Sequence, residues 1–269
     1  MTYSIVARDP ATGDLGVAVQ SKFLAVGSCV PWAAAGVGAV ATQSFANVAY
    51  GPDGLALLRA GSDADAAVAR LVGADELREE RQLGIVDAMG GAASHTGRGC
   101  FAWAGGRTGD GWAAQGNILA GPGVVDGLAD TFVASGRPFP ELLVACLAAA
   151  DDAGGDRRGR ESAALLVVRE GGGYGGGNDR WIDLRVDDHP DPIGELARLL
   201  DLTRLYFDHP DPADLRPIDE AIAAELRSLL GGLGWAPGRA GGPVYAPMFP
   251  AEAEKSALRP AIGEPRPFA

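Results

Sequence analysis

Tightly turned hairpins alternating with pairs of helices restrict this chain's possible folds more than any other feature. Residues 3–8 and 14–20 read as apolar strands joined by Asp9-Pro10-Ala11-Thr12-Gly13. So short a Pro/Gly-bearing turn closes an antiparallel pair, since a parallel crossover needs roughly a dozen residues or more. Residues 28–42 read as a second pair turning near Gly36 and Gly38. The period then becomes helical. A helix over 51–60 carries Leu55, Leu57 and Leu58, and Ser62 caps another over 63–72 with Ala66, Ala67, Val68 and Leu71 inward. Strands return over 81–87, 91–96, 101–104 and 111–117. Helices over 124–133 and 140–151, strands over 162–169 and 180–186, and a helix after Pro192 complete the pattern. This order predicts an α+β fold, a four-layer αββα sandwich in which two antiparallel sheets face one another and helices cover each outer side. The tight hairpins argue against a parallel βαβ sheet.

Two segments look like ligand loops and read better as structural punctuation. The run Gly171-Gly172-Gly173-Tyr174-Gly175-Gly176-Gly177 lies between two strands and lacks the Lys-Ser/Thr ending of a phosphate loop, so it reads as a hairpin tip. Asp188-His189-Pro190-Asp191-Pro192 recurs as Asp208-His209-Pro210-Asp211-Pro212. Each copy precedes a helical stretch, with Asp placed to cap and Pro suited to the first turn, so helix starting is preferred to metal ligation. The chain divides into a main domain over 1–207 and an extension over 208–269, where one amphipathic helix gives way to Gly- and Pro-rich sequence.

A net charge of −12 argues against nucleic acid or an anionic membrane as partner, because both demand a basic face. Cys29, Cys100 and Cys146 are far apart and set among apolar residues, which suits reduced buried thiols and a cytoplasmic location. Neither a signal peptide nor an apolar run long enough to span a membrane is seen. No cofactor or metal is expected, and self-association into a homo-oligomer is.

Thr2 follows the initiator Met and opens the first strand. Removal of Met1 would give an N-terminal threonine whose hydroxyl is a nucleophile and whose α-amine, with a pKa of about 8, is a base near neutrality. Among 23 basic residues only Lys22 and Lys255 are lysine, and Lys22 stands just past the second strand. Such a bias allows a need for a compact ammonium there, or simply a solvated side chain.

The stretches Thr2-Tyr3-Ser4-Ile5-Val6-Ala7-Arg8-Asp9, Gly16-Val17-Ala18-Val19-Gln20-Ser21-Lys22-Phe23, Pro31-Trp32-Ala33, Gly38-Ala39-Val40-Ala41-Thr42-Gln43-Ser44, Arg81-Gln82-Leu83-Gly84-Ile85-Val86-Asp87, Gln115-Gly116-Asn117 and 155–164 share one pattern. On them the chain resembles the DUF1028 family, placed within the N-terminal nucleophile (Ntn) hydrolases. The resemblance runs from Thr2 to about Phe207 and implies the same αββα fold, with cleavage of a small amide or peptide-like C–N bond through an acyl-enzyme. Thr2 would then serve as nucleophile and base. Lys22 would depress the amine's pKa, unless it is only solvated, and Ser21 would be a bridging hydroxyl or merely a strand-end cap. Asn117 would donate to the oxyanion or support the turn at Gly116. Gln43 and Ser44 would touch substrate or form an exposed edge pair. Arg158 and Arg160 would clamp a substrate carboxylate and Ser162 would orient the amine, unless their loop is a solvated connector. Members often carry a C-terminal segment described as peptidoglycan-binding, of which this chain keeps one amphipathic helix from about Pro217 to Leu230 before departing into Gly/Pro-rich sequence. The competing expectation is a non-catalytic protein that binds a ligand or cell-wall fragment on the same scaffold.

Overall fold

A computed structural model describes residues 2–134, 136–208 and 218–232. Two compact units are present, Met1–Asp208 and His209–Ala269. The first holds ten strands in two antiparallel sheets: β1 Thr2–Arg8, β2 Leu15–Ser21, β3 Pro31–Ala34, β4 Gly38–Ser44, β5 Arg81–Asp87, β6 Ala92–Thr96, β7 Gly105–Gly109, β8 Trp112–Asn117, β9 Ser162–Val168 and β10 Arg180–Val186. The larger sheet has the order β10-β9-β2-β1-β8-β7 and the smaller β3-β4-β5-β6. With them run α1 Tyr50–Arg59, α2 Ala64–Ala74, α3 Gly123–Ala134, α4 Phe139–Asp152 and α5 Pro192–Phe207, while α6 Glu220–Gly232 belongs to the second unit. The fold is therefore mixed α+β. No helix among the described residues is long and apolar enough to cross a membrane.

Strand alternation sorts the core into three clusters. Tyr3, Ile5 and Ala7 of β1 project toward Leu128 of α3, Leu143 and Leu147 of α4, and Leu196 of α5. Val6, with Val17 and Val19 of β2, instead meets Ala39, Ala41 and Val86 of the smaller sheet. The smaller sheet's other face, with Val40, Leu83 and Ile85, packs on Leu55 and Leu58 of α1 and on Ala67 and Leu71 of α2. Each fully buried Val, Leu or Ile contributes about 1.5–3 kcal/mol of transfer free energy, so the alternation itself holds both sheets in place. The sheets approach closely. A Cβ at Gly84 of β5 would lie 2.1 Å from Gln115 Oε1 on β8, so no larger residue fits there without displacement.

The first hairpin closes as its turn residues require. Asp9 accepts hydrogen bonds from Ala11 N and Thr12 Oγ1, both 2.9 Å, and Gly13 takes a left-handed φ of 81°. The glycine run does lie at the β9–β10 connection. Elsewhere the structure differs from expectation. The strand foreseen over 101–104 is displaced to β7. The Phe101 and Trp103 carbonyls accept from Ile118 N and Leu119 N outside any ladder. The paired strand is the glycine-rich stretch beyond, where a Cβ on Gly106 would come within 2.9 Å of Ser94 Oγ. Apolar content pointed to the wrong segment because lack of bulk decided which residues could lie between β8 and β6. Asp63, not Ser62, caps α2, accepting from Ala66 N at 2.8 Å. Asp191 caps α5 through Gly194 N, and that helix runs on to Phe207, with Arg204 paired to Glu141 of α4 at 2.8 Å. The second Asp-His-Pro-Asp-Pro copy lies, past Asp208, outside the described residues. All three cysteines are free thiols, but only Cys146 is buried, whereas Cys29 and Cys100 are half-exposed.

Candidate active site

Thr2, Ser21 and Asn117 meet because three neighbouring strands of the larger sheet end at one level. Thr2 pairs with Ser21 across β1–β2 and with Asn117 across β1–β8. The Thr2 and Ser21 hydroxyl oxygens are 3.0 Å apart, and all three residues are buried. Thr2 lies on the same side of β1 as Ser4 and Val6, the side facing the smaller sheet.

Behind Thr2 the space between the sheets holds a network of uncharged polar side chains. Ser4 Oγ donates to Gln43 Oε1 at 2.7 Å, and Gln115 Nε2 donates to Ser4 Oγ at 2.7 Å. Gln43 Nε2 donates to Gln82 Oε1 at 2.8 Å and to the Thr2 carbonyl at 3.3 Å. Asn117 Nδ2 donates to the same Gln82 oxygen at 2.9 Å. Gln82 Nε2 donates in turn to Gly116 O at 2.8 Å and Thr96 Oγ1 at 2.9 Å. Ser4, Gln43, Gln82, Gln115 and Asn117 are at most 1% exposed, so their amides have no solvent to fall back on. A buried network of this kind orients its members strongly. Gln82 is its hub, fixing both Asn117 and, through Gln43, the backbone of Thr2.

Backbone strain gathers at the same end. Among the described residues the non-glycine positions with positive φ are Ala25 at 55°, Ser44 at 72° and Ile118 at 53°. Ser44 ends β4, Ile118 follows Asn117 directly, and Ala25 lies in the loop leaving β2. Left-handed conformations at non-glycine residues cost on the order of 1–3 kcal/mol each and concentrate at ligand and catalytic sites.

The remaining candidates lie in the surrounding loops. Buried Asp156 accepts from Lys22 N at 3.0 Å and Arg158 N at 2.8 Å, tying the loop after β2 to the loop before β9. The Lys22 ammonium pairs with Glu161 at 3.5 Å, and the Arg158 guanidinium with Asp156 at 3.5 Å. Ser162 donates to the Phe23 carbonyl and accepts from Val26 N, so its hydroxyl closes the 22–26 loop. The Cys100 thiol donates to the Arg81 carbonyl at 3.4 Å, and its pKa is raised mainly by burial. Arg160 is directed elsewhere, pairing with Asp151 of α4. Asp151 also accepts from the Tyr3 hydroxyl at 3.4 Å, on the helix-covered face of the sheet. Burial first, and Asp151 second, push the Tyr3 hydroxyl well above its ordinary pKa. Sequence reasoning did not single out Ser4, Gln82, Gln115 or Asp156. The signal was present, since Ser4, Gln82 and Gln115 are polar residues within otherwise apolar strands.

A family model described as a family of unknown function, DUF1028, matches residues 2–196. The chain belongs to the DUF1028 family. Among solved structures this DUF1028 chain is similar to protein SPO2555 from Silicibacter pomeroyi, a DUF1028 protein, at 34% identity and a TM-score of 0.70. That likeness covers 79% of this chain and 88% of the other. A fainter likeness, at 12% identity and a TM-score of 0.35, is to Anbu (ancestral beta-subunit) from Yersinia bercovieri, over 81% of this chain and 99% of that one. It is too remote to carry any argument. No curated protein matches the chain.

Proposed function

We propose that this DUF1028 chain is an Ntn-type amidohydrolase, built as the four-layer αββα sandwich of that superfamily, which cleaves a small amide after Met1 is removed. The observation that carries the reading is Thr2 Oγ1 held 3.0 Å from Ser21 Oγ, with Asn117 on the strand at its other side. In the proposed reaction the freed Thr2 amine takes the hydroxyl proton, with Ser21 as the bridging hydroxyl. Oγ1 attacks the substrate carbonyl carbon, and the resulting oxyanion accepts the Asn117 Nδ2 hydrogen not committed to Gln82. The proton carried by the amine passes to the departing nitrogen as the C–N bond breaks, leaving an ester on Thr2. Water, deprotonated by the same amine, then releases the carboxylic acid. Lys22 serves mainly through its ion pair with Glu161, which offsets its field at Thr2. Gln43 orients the Thr2 backbone and not the substrate. Of the two arginines only Arg158 lies with this set, since Arg160 faces α4.

Intact-mass measurement of the purified protein, joined to turnover of a panel of N-acyl amides, tests the reading. Loss of Met1 is expected, together with hydrolysis that Thr2→Ala abolishes and that Ser21→Ala lowers by about 100-fold or more. Hydrolysis by protein that retains Met1, or by Thr2→Ala, removes Thr2 from the mechanism.

One observation favours a second reading, a non-catalytic ligand-binding protein on the same scaffold. Thr2 is only 6% exposed, and the cavities of about 360–990 Å³ beside Asp75, Arg160, Trp112 and Ser94 are not lined by it. Under that reading Met-free protein leaves every amide intact and a β-lactone probe leaves Thr2 unlabelled.

A further inference from the structure

Exposed aromatic side chains gather where β1 begins. Phe23 is 54% exposed, Phe45 52% and Phe101 58%, in three separate loops drawn from both sheets. Phe23 stands two residues beyond Ser21, in the loop tied down by the hydrogen bonds from Lys22 N to Asp156 and from Ser162 Oγ to the Phe23 carbonyl. Phe45 follows Ser44, and its carbonyl accepts from Arg81. The Phe101 carbonyl accepts at 2.8 Å from the N–H of Ile118, the residue after Asn117. The Phe45 and Phe101 rings pair at 6.0 Å and 60°. Thr2 thus begins its strand with Phe23 beyond the Ser21 side and the Phe45–Phe101 pair beyond the Asn117 and Gln43 side. Each flank also carries left-handed non-glycine backbone, at Ala25 on one and at Ser44 and Ile118 on the other.

Among the described residues, charged side chains at this end are paired except for Arg157, whose exposed guanidinium donates to the Ala102 carbonyl at 3.3 Å, next to Phe101. Lys22 pairs with Glu161 and Arg158 with Asp156. The interior behind Thr2 is lined by amides and hydroxyls, in Ser4, Gln43, Gln82 and Gln115. An apolar group settling against these rings loses contact with water and gains ring surface.

We propose that Phe23, Phe45 and Phe101 form the specificity-determining rim of the Thr2 site, selecting amides whose acyl group is aromatic or bulky aliphatic. This rests on the amidohydrolase reading, so binding is measured apart from turnover. Met-free, full-length Thr2→Ala protein is titrated by calorimetry with N-benzoyl, N-hexanoyl and N-acetyl amides of one amine. The benzoyl and hexanoyl compounds should bind about tenfold or more tightly than the acetyl one. Phe45→Ser with Phe101→Ser, and separately Phe23→Ser, should narrow that gap while leaving the circular dichroism spectrum unchanged. Flat or absent binding across the series overturns the proposal, as does a preference that survives all three substitutions. A change of oligomeric state with the ligand preference intact also overturns it, and assigns the rings to contact between copies. Selective binding that the substitutions erase, with no turnover when Thr2 is restored, supports the rim and overturns only the hydrolase reading.

Discussion

Replacing Gln82 by leucine should destabilise the protein severely, although the two side chains are close in size. The Gln82 amide oxygen accepts from Gln43 Nε2 and Asn117 Nδ2, and its nitrogen donates to Gly116 O and Thr96 Oγ1. After Gln82→Leu, Gln43 keeps its 3.3 Å bond to the Thr2 carbonyl, and half-exposed Thr96 can turn to water. The Asn117 donor and the Gly116 acceptor, both buried, lose the partner shown here. Each orphaned buried group costs about 1–3 kcal/mol, so the loss is about 2–6 kcal/mol. For a domain of this size that corresponds to a fall in Tm of about 5–20 °C. Gln115→Leu is the control. The Gln115 amide oxygen already has no protein partner, and the substitution removes one unsatisfied atom along with the Nε2 hydrogen bonds to Ser4 Oγ at 2.7 Å and, more weakly, Ser4 O at 3.4 Å. Its cost should therefore stay below about 1.5 kcal/mol. Urea unfolding with an unchanged m-value measures both variants on one scale. If Gln82→Leu proves no worse than Gln115→Leu, the hydrogen-bond hub is not what holds this end of the sheets together.

Other consequences follow from single residues. Gly84→Ala forces a Cβ to within 2.1 Å of Gln115 Oε1 and should cost about 1–3 kcal/mol in the same unfolding assay, where an unchanged midpoint would refute the close-approach argument. Burial disfavours ionisation of Asp75, but hydrogen bonds from Arg81, Asn47, Leu77 N and Tyr50 outweigh it and hold the carboxyl well below its ordinary range. Because the folded pKa is the depressed one, its stabilisation is complete above about pH 5 and is lost as pH falls from there toward the folded value. Asp75→Asn should accordingly flatten Tm against pH over the acid limb, and a parallel profile would exclude Asp75 as a source of that slope. The Cys146 thiol is pushed up to about 12 by burial, while Cys29 and Cys100 are half-exposed. An aromatic disulfide reagent at pH 8 should then titrate at most two thiols in folded protein and three after unfolding; three fast native thiols would contradict the buried placement.

Much of the candidate site could be read from local sequence, and the reason is geometrical. The turn at 9–13 sets the β1–β2 register, and counting outward from it puts Thr2 opposite Ser21. The Asp191 cap and Pro192 start α5 for equally local reasons. Arg160 was misjudged because a loop's sequence does not say which side of a sheet its side chains take. The structure commits it to Asp151 on the helix-covered face. Ser44 ends β4 in left-handed backbone, a conformation that no local sequence signal announces.

Sequence by itself determined the alternation of hairpins and helices, the strand that begins at Thr2, and the hydroxyl beside it. These depend on turn chemistry and on hydrophobic period, which act over a few residues. Tertiary structure alone decided that β8 lies on the other side of β1, bringing Asn117 to Thr2, and that Gln43 and Gln82 reach across from the smaller sheet. Those pairings join residues dozens to more than a hundred positions apart. They are selected by which whole faces of the sheets can pack together, a property of no single segment.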